Sequence, residues 1–262
     1  MRKIVVTGAS SMLGVATIEA VIEKSNVEKI YAVIRPNSTN FKRLPKVGNM
    51  TIIECSTNDY DKLPALISDE CDTFYHFAWD ATGKYRNQNI LEQSNNITNT
   101  LKALSAAHEL KCEKFIAAGS QAEYGLLDLE KVSPDSPVNP VQPYGIAKYA
   151  AGKLAMKMAE SYEMSCLWVR VFSVYGKYDK KTTLISSAID GLIEGKRVSF
   201  TPAEQRWDYL HSSDAGRAFY LLGEKSSGRK FYCLGSGVAR PLREYIKILG
   251  EIINPVAELG IG

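Results

Sequence analysis

The sequence of 262 residues predicts an α/β fold, a doubly wound parallel sheet with a smaller C-terminal lobe. Short runs rich in β-branched residues recur along the first two thirds of the chain without alternating between apolar and polar positions. Such strands are typical of a sheet covered on both faces. Helical patterns lie between them, and this alternation indicates parallel strands joined by right-handed crossovers.

The predicted elements of the main sheet follow one another in chain order. The predicted strands are KIVVTG (3–8), KIYAVI (29–34), MTIIEC (50–55), DTFYHFA (72–78), KFIAAGS (114–120) and CLWVRVF (166–172). Helical periodicity predicts helices over residues 12–24, about 87–110 and 144–163.

The pattern changes after Gly176. Helical stretches at 182–194, 212–223 and 241–253 are separated by short strands around 197–201 and 230–234. We therefore expect one domain over residues 1–175 and a lobe over 176–262, with some strands of the lobe free to return to the main sheet. The lobe is expected to cover the carboxyl ends of the strands, where open α/β sheets bind ligands. The final NPVAELGIG supplies no closing element, so we expect either a truncated sequence or an abrupt end.

Composition argues against several classes of protein. The formal charge of +3 is small and no polybasic block occurs, so nucleic-acid binding is not predicted. No apolar run approaches the roughly 20 residues that span a bilayer, and no signal-peptide pattern opens the chain. The five scattered cysteines form no CxxC pair and fit reduced, buried thiols, while the three dispersed histidines do not indicate a metal site. We expect a cytoplasmic protein without membrane contact or metal.

The stretch TGASSMLG, residues 7–14, joins the first strand to the first helix. Gly8 permits a tight turn and Gly14 lets the helix pack close to the strand, which points backbone N–H groups at an anion. Ser11 takes the place of the usual middle glycine, and its hydroxyl could bond a phosphate oxygen. We interpret the stretch as a phosphate-binding loop; the alternative is a strand–helix turn without a ligand. The expected contacts are Gly8, Ser10, Ser11, Met12, Leu13 and Gly14.

The end of the second strand bears on the cofactor. An acid that reads a ribose hydroxyl is expected roughly 20 residues beyond the glycines. Residues 30–53 contain no Asp or Glu, whereas Arg35, Lys42, Arg43 and Lys46 lie there. A basic loop suits the 2′-phosphate of NADP(H), which Arg binds through paired hydrogen bonds. NADP(H) is therefore favoured and NAD(H) stays possible; the alternative is a solvent-facing Arg35.

GSQAEYG at 119–125 and PYGIAK at 143–148 carry the chemistry. Tyr144 and Lys148 are four residues apart and share one face of a helix. A lysine ammonium near a phenol favours the phenolate, so we expect Lys148 to lower the pKa of Tyr144. Ser120, at the end of the fifth predicted strand, could bind the oxygen that Tyr144 protonates. YxxxK alone also fits an ordinary helix start.

With these motifs, the sequence resembles the extended short-chain dehydrogenases/reductases, the NAD(P)-dependent nucleotide-sugar epimerase/dehydratase/reductase family. Further matching landmarks are HFAW (76–79), NNITNT (95–100), RVFSVYG (170–176), QRWDYLHSSDAGRA (205–218) and LGSG (234–237). The resemblance implies an NAD(P)-binding Rossmann domain and a substrate-binding lobe. It implies catalysis by Ser120, Tyr144 and Lys148, cofactor contacts at Ala78, Asn96, Tyr144 and Lys148, and substrate contacts at Gln121, Tyr175 and Arg206. Ser11 and Ser56, the latter at a position where an adenine-contacting Asp is common, depart from the family pattern.

Three reactions are weighed within this family. Its dehydratases place Asp and Glu directly after the active-site hydroxyl, whereas this chain has Gln121 and Ala122, so dehydration is not expected. Arg35 favours an NADP(H)-dependent reductase of a nucleotide-linked 4-keto-6-deoxy sugar over a nucleotide-sugar 4-epimerase. A catalytically silent NADP-sensing regulator is the alternative from another class.

The resemblance also implies a homodimer. The predicted helices at about 87–110 and 144–163 carry apolar stripes, and in this family such helices pair across a two-fold axis as a four-helix bundle. The alternative is that both stripes face the sheet.

Overall fold

The computed structural model describes residues 1–83 and 85–262. The strands are Lys3–Thr7 (β1), Lys29–Ile34 (β2), Met50–Glu54 (β3), Thr73–His76 (β4), Lys114–Ser120 (β5), Ser165–Val171 (β6), Ser173–Tyr175 (β7), Val198–Phe200 (β8), Arg206–Trp207 (β9), Tyr209–His211 (β10), Arg229–Leu234 (β11), Arg240–Pro241 (β12) and Leu259–Ile261 (β13). The α-helices are Met12–Lys24 (α1), Leu63–Leu66 (α2), Ile90–Glu109 (α3), Pro143–Ser161 (α4), Leu184–Ile193 (α5), Ser212–Lys225 (α6) and Leu242–Ile253 (α7).

The main sheet has seven strands in the order β11-β6-β5-β4-β1-β2-β3, and every neighbouring pair is parallel. The chain runs outward from β1 through β2 to β3 and then returns to β4 on the other side of β1. The order therefore reverses between β1 and β4, and a crevice for ligands is expected where their carboxyl ends meet. The predicted doubly wound α/β fold is confirmed.

Burial on both faces explains why the strands read as continuous apolar runs. Val5, Phe74, Phe115 and Trp168 on four different strands are fully buried, and they belong to one hydrophobic core. The helices α3 and α4 cover this face and pack against each other. Several of their buried positions are alanines, which allow close approach: Ala103, Ala106, Ala107, Ala147, Ala151, Ala155 and Ala159.

The chain divides into two compact units, and both are discontinuous in sequence. The first comprises residues 1–171 and 213–234, because α6 and β11 return to the main sheet; the lobe predicted over 176–262 allowed for such a return. The second unit comprises 172–212 and 235–262. It contains α5, α7 and three two-stranded sheets around the buried side chains of Ala203, Leu242 and Ile246.

The thiols follow the sequence-based expectation. All five cysteines are free; Cys55, Cys71, Cys112 and Cys166 are buried and Cys233 is half-buried. Across residues 1–83 and 85–262, no helix has both the length and the apolar character that crossing a bilayer requires.

Candidate active site

The site begins at the loop between β1 and α1. Gly8 has a φ of +64°, and a Cβ there would lie 2.6 Å from the backbone N of Ala78. A Cβ on Gly14 would lie 2.4 Å from the carbonyl oxygen of Gly8. Both glycines are therefore required by close backbone approach. The approach also places Ala78, at the end of the strand next to β1, directly beside the loop.

The loop fits the anionic diphosphate of a dinucleotide. Ser11 is the N-cap of α1, and its Oγ accepts a hydrogen bond from the N–H of Gly14 at 3.1 Å. A serine hydroxyl also carries one donor, which can reach a phosphate oxygen. The N–H groups of Met12 and Leu13 open the helix and have no intrahelical acceptor. Together with the positive end of the helix dipole they favour negative charge.

Asp80 connects the loops around this site, and sequence reasoning missed it. Its Oδ1 lies 3.9 Å from Nη1 of Arg35, and its Oδ2 accepts a short hydrogen bond from Oγ1 of Thr57. Asn96 on α3 binds the backbone of Asp80 twice, at 2.9 and 3.1 Å. Asn96 thus holds the segment that carries Ala78. The only signal in the sequence was an acid two residues after HFA.

The loop after β2 has an acidic neighbour, Glu54, which lies one position beyond the acid-free stretch 30–53. Glu54, the last residue of β3, accepts a hydrogen bond from the N–H of Asn37 at 3.3 Å. Glu54 lies 20 positions after Ile34 in the sequence but directly beside it in the sheet register. Ser56, two residues beyond the end of β3, is the N-cap of a short 3-10 helix over 57–62 and forms no side-chain capping bond.

Ser120 and Tyr144 approach each other at the carboxyl end of β5. Ser120 caps a 3-10 turn, where its Oγ accepts from the N–H of Ala122 at 3.1 Å. Tyr144 lies in the first turn of α4, and the next residue, Gly145, brings the helix close to this turn. A Cβ on Gly145 would lie 2.3 Å from the carbonyl oxygen of Ala122. Burial raises the pKa of Tyr144. The Ser120 hydroxyl contacts the phenol and opposes this effect, because it favours the ionised form.

Lys148 is buried one turn further along α4. Its Nζ donates a hydrogen bond to the carbonyl oxygen of Ala118 at 2.7 Å and lies 3.7 Å from the centre of the Trp79 indole ring. Burial lowers the pKa of Lys148 to about 7, against an opposing effect of the Glu123 carboxylate. The Trp79 ring therefore covers the ammonium that was predicted to act on Tyr144.

The surroundings of the Tyr144 phenol include charged groups that the sequence did not indicate. Among the described residues, the groups that favour its ionised form are Ser120 and Arg86, while Glu123 and burial disfavour it. The Lys148 ammonium is directed at Ala118 and Trp79, and its expected effect on the pKa of Tyr144 stays a prediction. The Arg86 guanidinium lies 4.6 Å from the centre of the Tyr144 ring.

Residues 4–235 match the model of the NAD dependent epimerase/dehydratase family. The chain belongs to this family. The resemblance predicted from the motifs is confirmed, and so is the prediction of an NAD(P)-dependent enzyme that acts on a nucleotide sugar.

Relatives and solved structures of the family cover most of the chain. The uncharacterized UDP-glucose epimerase YtcB of Bacillus subtilis is 26% identical over 268 residues, which span 98% of this chain and 84% of the relative. The UDP-glucose 4-epimerase of Thermotoga maritima, solved with UDP-glucose, has a TM-score of 0.85 at 22% identity and covers 98% of this chain and 84% of its own. The dTDP-glucose 4,6-dehydratase of Streptomyces venezuelae, solved with NAD bound, has a TM-score of 0.84 at 18% identity, with coverages of 95% and 80%.

Within the family, Glu123 separates this chain from a dehydratase arrangement. Glu123 is fully buried and accepts hydrogen bonds from the backbone N–H of Ser120, from Nε1 of Trp168 and from Nε of Arg170, at 2.8, 2.8 and 2.9 Å. The carboxylate is committed to these three donors. Gln121 and Ala122, which precede it, cannot exchange a proton with a substrate.

His76, the last residue of β4, has a structural role. It is buried; its Nδ1 lies 2.8 Å from Oγ1 of Thr7 and its Nε2 lies 3.3 Å from Oγ1 of Thr100. Burial, and secondarily the charge of Lys148, lower the pKa of His76 to about 3. It is therefore neutral at physiological pH and ties β1 and α3 together.

Two residues that the family resemblance assigns to the substrate lie in the second unit. Tyr175 packs edge-on against the rings of Tyr209 and His211, with ring centres 6.0 and 5.4 Å apart. Arg206 is exposed, and its Nη2 donates to the carbonyl oxygen of Ala239 at 2.5 Å. The roles of Tyr175, Arg206 and Gln121 in binding a substrate stay predictions.

Proposed function

We propose that this protein is an NAD-dependent nucleotide-sugar 4-epimerase. The observation that carries the proposal is the contact between the Ser120 and Tyr144 hydroxyls at the carboxyl end of β5. Positions 121 and 122 supply no acid and base for eliminating water. The Ser120 and Tyr144 hydroxyls can bind one sugar oxygen and exchange one proton with it. Epimerisation requires this proton exchange.

The cofactor proposed is NAD(H), whereas the sequence analysis favoured NADP(H). Arg35 lies beside the Asp80 carboxylate, so its charge is not free for a 2′-phosphate alone. Glu54 places a further carboxylate against the loop after β2 and disfavours an added phosphate there. The family description and the NAD-bound dehydratase support the same choice.

The residues act in two half-reactions. NAD held by the loop from Gly8 to Gly14 would supply the acceptor for a hydride from the sugar carbon and the donor for its return. Tyr144 as phenolate removes the hydroxyl proton from that carbon's oxygen, while Ser120 holds the oxygen by a hydrogen bond. After the ketone has presented its other face, Tyr144 returns the proton to the same oxygen. No oxidant or reductant is consumed, because the hydride and the proton both go back.

A reductase is the second candidate, and the basic loop after β2 favours it. Lys42 and Arg43 end the 3-10 helix Thr39–Arg43, and the Arg35 side chain is 71% exposed, so this loop could accept a 2′-phosphate. Tyr144 would then protonate the oxygen of a 4-keto-6-deoxy sugar once per turnover. A silent NADP sensor has less support, because a sensor does not need the Ser120–Tyr144 pair.

Product analysis separates these functions. Purified protein is incubated with NAD and a panel of UDP-, dTDP-, CDP- and GDP-hexoses, and the sugar is followed by proton NMR. An epimerase produces the 4-epimer without net change in the absorbance of reduced nicotinamide. Consumption of NADPH with a 4-keto nucleotide sugar, without epimer formation, would contradict the proposal in favour of the reductase. Cofactor binding without turnover of either the nucleotide hexoses or the 4-keto nucleotide sugar would favour the sensor.

A further inference from the structure

Trp79 lies in the segment between β4 and α3, and its indole contacts both Tyr144 and Lys148. The Nζ of Lys148 lies over the indole face, 3.7 Å from the ring centre. The Tyr144 ring meets the indole edge-on, with ring centres 6.1 Å apart. The electron-rich face of an indole attracts an ammonium, and the attraction is strongest where water is excluded. Lys148 is buried, so this contact acts where it counts most.

Gln93 on α3 fixes the orientation of the indole. This side chain is almost fully buried, and its Oε1 accepts a hydrogen bond from Nε1 of Trp79 at 2.8 Å. Its Nε2 donates to the carbonyl oxygens of Ala81 and Arg86 at 3.0 and 3.1 Å. A buried amide with its donors and its acceptor satisfied gives a defined geometry. The indole face is therefore held against the ammonium.

The rest of the surroundings of Lys148 gives its charge limited support. Its Nζ donates to the carbonyl oxygen of Ala118 at 2.7 Å, while burial lowers the pKa of Lys148 to about 7. The charge of Glu123 opposes this effect of burial, but that carboxylate is paired with Arg170 at 2.9 Å. His76, on the neighbouring strand β4, is neutral at physiological pH. The indole face thus supplies electrostatic stabilisation that the interior otherwise offers sparingly.

We propose that Trp79, positioned by Gln93, holds the buried Lys148 in its charged form beside Tyr144. The inference rests on the proposed role of Tyr144 as the proton carrier, because a charged Lys148 is expected to favour the phenolate. The indole compensates in part for the water that burial removes from the ammonium. Arg86, 4.6 Å from the centre of the Tyr144 ring, adds a second positive charge next to the phenol. Trp79 acts through Lys148 and is a positioning residue.

The first test follows the ionisation of Lys148 without any substrate. Mono-, di- and tetrafluorotryptophan at position 79 withdraw electron density from the ring face and keep its shape. Nitrogen-15 NMR of labelled lysine follows the Nζ of Lys148, which is assigned by its loss in Lys148→Met. The pKa of Lys148 should fall stepwise along the series, by about one unit with the tetrafluoro ring.

The matched control places the same analogues at Trp207, an exposed indole of the second unit that donates to Ser173. They should leave the titration of Lys148 unchanged. An unchanged titration along the series at Trp79 would overturn the proposal.

The second test uses turnover. If Lys148 must be charged, kcat/KM falls at high pH along a limb set by the pKa of Lys148. This limb should move to lower pH along the fluorinated series at Trp79, by the same amount as the NMR titration. Gln93→Leu, which releases the indole, should move it in the same direction.

Two outcomes of the turnover test are decisive. An equal fall in rate at every pH, without a moved limb, would assign Trp79 a merely structural role and contradict the proposal. The NMR titration needs no reaction, so a shifted titration without epimerisation would support the contact and place the fault in the proposed function.

Discussion

Burial and close neighbours set the chemistry of the site at the scale of single residues. The spacing of Tyr144 and Lys148 and the strand-end position of Ser120 could be read from the sequence, because helix and strand geometry fix such relations locally. The indole of Trp79 over Lys148 could not be read, since it depends on how two distant segments pack. The same is true of Arg86, which reaches Tyr144 from a loop 58 positions earlier.

Tyr144→Phe tests the proposed proton carrier. The phenyl ring keeps the packing and loses the hydroxyl, so turnover should fall by about 100- to 10,000-fold. The affinity for NAD should stay nearly the same, because the phosphate loop is untouched. Stopped-flow measurement of the chemical step and titration with NAD check the two parts. An unchanged kcat would remove Tyr144 from the mechanism.

Glu123→Gln tests the buried ion pair with Arg170. The two side chains are 0% and 3% exposed, so the substitution leaves an uncompensated guanidinium in the interior. The free energy of unfolding should fall by about 3–5 kcal/mol. Urea denaturation measures the change, and the double variant with Arg170→Met should recover part of it. Glu28→Gln, at the exposed pair with Arg2, is the control and should change stability little. A comparably small change at Glu123 would refute this account of the pair.

The long elements were predictable at the scale of helices and strands, and the short ones were not. The predicted helix 12–24 and the observed α1 share both ends, because Ser11 and the apolar periodicity define them locally. The helix predicted from about 87 begins at Ile90, since the preceding residues form turns beside the site. Strands such as β9 and β12 have two residues each, too few for a pattern of their own, and exist only through pairing with each other.

Gly14→Ala tests the close packing at the start of α1. The added Cβ would meet backbone oxygen of Gly8 at 2.4 Å, so the loop must move. We expect a loss of about 1–3 kcal/mol in the free energy of unfolding and weaker binding of NAD. Gly48→Ala is the matched control, because no described heavy atom lies within 4 Å of the Cβ it would add. Isothermal titration with NAD compares the two variants, and equal affinities would contradict the expected role of the loop.

The parallel sheet was predictable at the scale of the whole molecule, whereas the strand around 230–234 was predicted without its place at the edge of that sheet. Strand rhythm and apolar content identified β1 to β6, since a covered sheet imposes that pattern on every strand. The return of residues 213–234 depends on which edge of the sheet stays open, and no local pattern encodes it. Pairing of α3 and α4 across a two-fold axis stays a prediction; Leu91 and Leu154 are exposed there, whereas Leu104 and Ala151 face the core.

The pH dependence of stability tests the buried state of His76. Its pKa of about 3 in the folded protein is far below the unfolded value of 6.5, so the unfolded chain takes up a proton first as pH falls. The contribution of neutral His76 to the free energy of unfolding is complete above pH 6.5. Below that pH it falls by about 1.4 kcal/mol per pH unit, until the pKa of the folded state is reached. Urea denaturation at pH 7 and pH 5 should show a contribution of about 2 kcal/mol. His76→Gln should remove this dependence and His108→Gln should keep it; an unaltered slope in His76→Gln would contradict the assignment.

The position of β11 at the edge of the sheet, beside β6, has a consequence for biosynthesis. Six strands emerge from the ribosome in the first 171 residues, yet their last partner follows only after a further stretch that folds into another unit. Until residue 234 has been translated, the backbone groups of β6 face outward without their final neighbour. During that interval the nascent polypeptide exposes an unpaired strand edge, which can associate with other chains. The risk of aggregation depends on how quickly translation produces β11.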